Sequence, residues 1–348
     1  MTQLHIGIAG AGLAGRLLAW RLARAGCRIS LFDAKRRNDL TSASQTAAAM
    51  LSPLAELAVS DDVVFELGQR SLMLWPQWLA LLATAVYFRQ DGTLVVAHIQ
   101  DGASLEHFSR LLHHKLPASC MAQVQTLDVV ALAKLEPTLA GRFNGGLFLA
   151  GEGQLANDQL MAALAVELDR LGVQWHEGQS VERVEVQAIV CADQAHAVDA
   201  AVDARGVDTK SVLPNLRGVR GEVLRVECKS VTLQRPVRLM HPRYQLYVAP
   251  RPNGEFVVGA TELESEDTGP VTVRSVLELA SALHSLHPAF GEARILSMRA
   301  ALRPAFDDHR PRVEQRDGVW HINGLYRHGY LCAPALVDDL VGKLLHDN

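Results

Sequence analysis

Near its start the chain reads Ile8-Ala9-Gly10-Ala11-Gly12-Leu13-Ala14-Gly15, and Asp33 closes the apolar run Ile29-Ser30-Leu31-Phe32. This is a G-x-G-x-x-G turn followed by an acidic residue at the distance that a dinucleotide-binding βαβ unit requires. The spacing has a mechanical reason. Gly10 permits the tight turn off the first strand, Gly12 lets the backbone approach a pyrophosphate, and Gly15 lets the following helix pack closely on the sheet. The N-terminus of that helix presents free N–H groups and a favourable dipole to the phosphates. Asp33 ends the second strand, where it can accept hydrogen bonds from a ribose hydroxyl pair. The flanks agree: Leu4 to Ile8 is a short apolar strand, and Leu13 to Ala25 is a helix closed by Gly26 as its C-cap. The motif alone does not separate FAD from a nicotinamide. Lys35-Arg36-Arg37 would suit a 2′-phosphate, but a charge run in a loop is usually only a solvated face.

At 348 residues the chain can build two substantial lobes, and 49% apolar with 21% charged residues is ordinary for a globular enzyme. A net charge of −4 argues against a nucleic-acid partner. The longest apolar run, Leu72 to Val86, is interrupted by Pro76 and Gln77, short of the ~20 residues a membrane helix needs. The first strand begins at Leu4, which leaves no room for a signal peptide, so a cytoplasmic protein is expected. The five cysteines are scattered without a C-x-x-C, and no H-E-x-x-H or mixed Cys/His spacing occurs. Reduced buried thiols and no metal are expected.

Further along, Gln45 to Pro53 is rich in small residues, which reads by composition as an alanine-rich helix start and also allows close approach of a planar ligand. Phe65 to Tyr87 looks helical, and Val86 to Phe88 with Gly92 to Val96 reads as a hairpin. A helix over Asp158 to Leu171 follows the strand Gly145 to Leu149. A β-rich block, with Pro252-Asn253-Gly254 as a hairpin turn, precedes a helix over Thr272 to Leu286 and a last helix over Ala333 to Leu345. No repeat or linker is visible. The alternation of βαβ-like and antiparallel blocks predicts an α/β fold of two interleaved lobes.

A second motif stands near the C-terminus: Ala301-Leu302-Arg303-Pro304, followed by Gly324-Leu325-Tyr326-Arg327-His328-Gly329-Tyr330-Leu331-Cys332-Ala333-Pro334. With the glycine turn, Ala47-Ala48-Ala49-Met50-Leu51 and Tyr247-Val248-Ala249-Pro250-Arg251, the chain resembles the D-amino-acid oxidase (DAO) superfamily of FAD enzymes, and within it the glycine oxidases of thiamine biosynthesis. The resemblance implies a Rossmann-type FAD-binding domain of the glutathione-reductase/p-hydroxybenzoate-hydroxylase kind, over residues 1–60, 140–206 and 295–348. An interleaved antiparallel-sheet α+β substrate domain would take residues 61–139 and 207–294.

It also implies FAD held without a covalent link, because Ala305 and Phe306 stand where the sarcosine-oxidase branch carries its attachment cysteine. Gly10, Gly12, Leu13, Ala14, Gly15, Asp33 and Ala34 would hold the ADP half. Ser44, Thr46, Ala48, Met50 and Leu51 would line the isoalloxazine and phosphate, Val181 the adenine side, and Gly324, His328, Gly329, Tyr330 and Leu331 the flavin edge. Arg303, Arg327 and Tyr247 would clamp a substrate carboxylate, a task for which a planar guanidinium supplies both charge and orientation. The implied reaction is hydride transfer from a small amino acid (glycine, sarcosine or a D-amino acid) to FAD, with O2 reduced to H2O2. No acid/base residue is implied, since positioning dominates such a step.

Three departures from the family pattern bear on the substrate: Gln245 replaces a histidine, Glu262 replaces an apolar residue, and Asp203-Ala204-Arg205-Gly206 replaces an Ala-Ser-Gly-like strand end. Two competing readings are an accessory flavoprotein that matures a partner protein and an oxidase of a larger, tRNA-borne amine. The sequence leaves a homo-oligomer open.

Overall fold

The structure is a computed structural model and describes residues 3–192, 194–241 and 246–346; Gln245 lies outside the described residues. A six-stranded sheet runs in the order Arg312–Arg316, Val319–Asn323, Ala200–Asp203, His5–Ala9, Arg28–Asp33, Gln174–Glu177, parallel except for its first pair. Period-two alternation assigns its faces. Ile6, Ile8, Ile29 and Leu31 point into a core formed with helices Leu13–Arg24, Asn157–Arg170 and Gly329–His346. Each such fully buried side chain contributes about 1.5–3 kcal/mol. On the opposite face Phe32 packs with Val181, Ile189, Cys191 and Val198 around a three-stranded meander, Val181–Glu185, Ala188–Cys191 and Gln194–Ala197. Gly7 is required there, because a Cβ would lie 2.9 Å from Ile189.

The second sheet has eight strands in the order Arg294–Phe306, Leu216–Glu227, Glu255–Gly259, Leu246–Pro250, Val237–Met240, Thr93–Ala97, Gly145–Leu149, Val124–Asp128. Its pairs are antiparallel apart from Val237–Met240 with Thr93–Ala97. Leu224, Val226, Phe256 and Val258 face helix Val273–Leu286, whereas Val223, Ala249, Val257 and Tyr247 face Ala48. Pro304 is tolerated in a long strand because that strand is the sheet edge. No helix among the described residues is long and apolar enough to cross a membrane.

Several local expectations give way to tertiary contacts. The helix expected to reach Tyr87 spans Asp62–Leu79, because Ala83 N–H donates to Glu167 and Tyr87 N–H to Gln159 instead of to preceding carbonyls. The expected hairpin does not form. Phe88–Arg89 pairs with Gly153–Leu155, while Thr93–Ala97, buried throughout, takes partners on both edges within the eight-stranded sheet. The alanine-rich stretch holds only one helical turn, Ala43–Thr46, before Met50–Leu51 joins a strand pair. The last helix begins at Gly329, four residues before the expected start.

Candidate active site

One cavity of about 1980 Å3 runs between the two large sheets. Its near end is the glycine turn. Gly10 has φ +99°, and Gly12 caps helix Leu13–Arg24 with no side-chain acceptor on its first-turn N–H groups. The Asp33 carboxylate accepts from Ala11 N–H at 2.6 Å and from Lys35 N–H at 2.8 Å, which fixes the turn against the second strand. Buried Arg16 reinforces it by donating to the carbonyls of Ala11 and Met161. Asp203, one of the departures noted above, is buried and pairs with Arg205, whose guanidinium also holds the Val181 carbonyl at 2.8 Å.

The middle of the cavity is floored by the 44–50 segment. Tyr330 donates to the Ser44 carbonyl at 2.8 Å, Asn157 to the carbonyls of Ser44 and Gln45, and Arg251 to Gln154 and to the Ala48 carbonyl. These bonds hold in place the helical turn Ala43–Thr46 and the irregular backbone at Ala48 that leads to strand Met50–Leu51. Arg251 is fully buried, which pulls its pKa down to about 10.

The far end is strongly charged. Arg303, on strand Arg294–Phe306, lies flat against Gly221, leaves no room there for a Cβ, and donates to the Thr261 carbonyl at 3.0 Å. Arg327 bridges two carboxylates, Glu56 at 3.2 Å and Glu262 at 3.1 Å, and Tyr326 O–H also donates to Glu262. Arg238 pairs with the other Glu56 oxygen at 2.9 Å. Burial works to raise the Glu56 carboxyl, but the charges of Arg327 and Arg238 outweigh it and hold the group well below the usual carboxylate range. His328, buried beside Glu56, is pushed down to about 4 and is neutral at pH 7. Burial raises the Tyr247 phenol, and that side chain stands on the same wall.

Of the residues singled out in the sequence, Gly10, Gly12, Leu13, Ala14, Asp33, Ala34, Ser44, Thr46, Ala48, Met50, Val181, Tyr247, Arg303, Arg327, His328, Gly329, Tyr330 and Leu331 all line this cavity. Gly15, Leu51 and Gly324 stand behind the wall. Gly15 packs on the Gly10 carbonyl, Leu51 is fully buried, and Gly324 (φ +73°) abuts Phe306. Sequence reasoning missed Glu56, Arg238 and Tyr326. The signal for the first two was a single charge inside an apolar run, Leu54-Ala55-Glu56-Leu57-Ala58 and Val237-Arg238-Leu239. A charge in such a setting is usually paired.

The family pattern of DAO, FAD dependent oxidoreductase, matches residues 5–341. The chain belongs to the DAO family of FAD-dependent oxidoreductases. A Rhizobium etli protein that carries the name thiamine biosynthesis oxidoreductase ThiO is 42% identical over 98% of this chain and 97% of its own length. A glycine oxidase of Bacillus licheniformis is 25% identical over 97% of this chain and 92% of its own length. Among solved structures, glycine oxidase from Geobacillus kaustophilus superposes with a TM-score of 0.84 at 23% identity, over 98% of this chain and 95% of that one. FAD is therefore the cofactor, and the chain is an FAD-dependent oxidoreductase.

The cavity fits that cofactor. The helix N-terminus at Gly12 has unused donors, and a Cβ at Gly12 would meet nothing nearer than Ser44 Oγ at 4.0 Å, so open space lies where a pyrophosphate must pass. Thr46 Oγ1 is buried, lines the cavity and has no protein partner. None of the five cysteines lines the cavity.

Proposed function

We propose that the protein oxidises glycine, or a similarly small amino acid such as sarcosine or a small D-amino acid, to its imine, with O2 reduced to H2O2. The observation that carries this reading is that Gly12 and Arg303 line one continuous cavity although 291 positions separate them in the chain. Bound FAD would supply the hydride acceptor. The chain's own contribution is placement: Gly12, Leu13 and Ala14 with Thr46 hold the phosphates, and Arg303 with Tyr247 receives the substrate carboxylate and orients its α C–H bond. Glu56, Arg238 and buried, neutral His328 keep the far wall rigid. The names of the relatives support a role in thiamine biosynthesis, where the imine would be consumed. The five free cysteines fit a reducing compartment, and the cytoplasm is the proposed setting.

The test is anaerobic bleaching of flavin absorbance by glycine, sarcosine and D-alanine, followed by peroxide release on admitting air. Bleaching by one of them at millimolar concentration is expected. Full flavin content with no bleaching by any small amine would overturn the reading.

A further inference from the structure

Among the described residues the far wall holds three guanidiniums, Arg238, Arg303 and Arg327, and two carboxylates, Glu56 and Glu262. The pairing among them is uneven. Arg238 and Arg327 are both engaged by Glu56, and Arg327 is engaged a second time by Glu262. Arg303 makes no ion pair among the described residues and gives one hydrogen bond to a carbonyl. Among these five groups one guanidinium is left over, which matches a ligand with one carboxylate.

The two acids differ in kind. Glu56 is built in: its side chain is 10% exposed and sits on helix Pro53–Leu57. Glu262 is 46% exposed, stands on the irregular segment after strand Glu255–Gly259, and faces the cavity with Tyr326 and Arg327 as its partners. It is an acid of this chain on the same cavity wall as Arg303, near enough that the Arg303 charge helps to lower its carboxyl.

We propose that Glu262 is a specificity-determining residue that occupies Arg327 and excludes substrates with a second carboxylate. The inference rests on the reading of this cavity as a small-amino-acid site. With Arg303 holding the first carboxylate, a second would approach Glu262 at close range, and like charges a few ångströms apart near a protein surface repel strongly. Selectivity then comes from a built-in repulsion and not from a tighter fit to the preferred ligand.

Glu262→Gln tests this, because it removes the charge, keeps the shape and leaves an oxygen for Tyr326. Holoenzyme is titrated with methoxyacetate, which is isosteric with sarcosine, and with diglycolate, which is isosteric with iminodiacetate; neither has an amine to oxidise. Flavin absorbance reports binding. The expected result is weak diglycolate binding in the wild type, with the diglycolate-to-methoxyacetate affinity ratio rising at least tenfold in Glu262→Gln. The kcat/KM ratio for iminodiacetate over sarcosine should rise in parallel. Glu262→Leu is the second variant if Glu262→Gln does not retain flavin, and the same gain is expected of it. A ratio changed less than twofold in a flavin-replete variant would overturn the proposal, as would wild-type enzyme that binds both probes equally. If no small amine bleaches the wild type while the binding ratio still shifts, the proposed function fails and the role of Glu262 stands.

Discussion

A Cβ built on Gly10 would lie 2.5 Å from the carbonyl oxygen of Ala204, the residue whose N–H donates to Ala9 at 2.7 Å. The glycine turn is thus wedged against the end of the neighbouring parallel strand, and Gly15 is pressed in turn onto the Gly10 carbonyl. At Gly12 the space in front is open. Three glycines of one motif therefore serve two different needs, and substitution separates them.

Gly12→Ala should leave the apoprotein within about 1 kcal/mol of wild type, the scale of a changed N-cap, and weaken FAD binding by at least tenfold. Gly10→Ala should damage the fold itself, because φ +99° and the Ala204 contact both oppose a side chain. Apoprotein melting and flavin-fluorescence titration on both variants check the contrast. Equal loss of stability in the two would show that Gly12 is a packing glycine.

Arg303 and Arg327 should also separate. Arg303→Met removes from the protein one hydrogen bond to a neutral carbonyl, but the whole charge that the proposed carboxylate site would offer. Turnover of a carboxylate substrate should then lose roughly 2 to 3 kcal/mol of binding, about 30- to 150-fold in KM, with little change in melting temperature. Arg327→Met leaves Glu56 with Arg238 alone and should cost about 2 kcal/mol of stability. Steady-state kinetics together with chemical unfolding distinguish the two roles.

Glu152 sits fully buried behind Glu56, with one oxygen accepting the Ala55 N–H at 2.8 Å, and burial raises its pKa from 4.5 to about 7. A carboxyl raised on folding binds more protons in the native state, so its contribution to stability is fully present below pH 4.5 and is lost as pH rises through about 7. His328, lowered to about 4, acts in the opposite sense below pH 6.5 and cancels in a comparison of variants. Relative to Glu152→Gln, the wild-type apoprotein should lose about 3 kcal/mol between pH 4.5 and 8. A pH-independent difference in unfolding free energy would show that Glu152 stays charged.

Arg220 anchors the segment that carries Glu262. It pairs with Glu222 at 2.7 Å, both side chains almost wholly buried, and donates to the carbonyls of Asp267, Gly269 and Pro270. Arg220→Met strands a buried carboxylate and frees those carbonyls, so a loss of about 3 kcal/mol is expected. New proteolytic cleavage should appear between residues 262 and 272. Cleavage elsewhere, with this segment intact, would count against the anchoring role.

The sequence determined the parts whose reason is local. The glycine turn is legible because each glycine answers a backbone constraint within one βαβ unit, and the helix over Asn157–Arg170 because its apolar period is complete in itself. That Arg303 and Arg327 line one cavity with Gly12 was legible through the family pattern and not through any spacing, since nothing local says that residues 303 and 327 face the same space as residue 12. Tertiary structure alone decided which charges neutralise which. Glu56, Arg238, Glu262 and Arg327 come from four segments, and ion pairing acts through space without regard to chain order. It also decided where Thr93–Ala97 finds partners, because a strand buried on both faces takes its register from the whole sheet and not from the nearest turn.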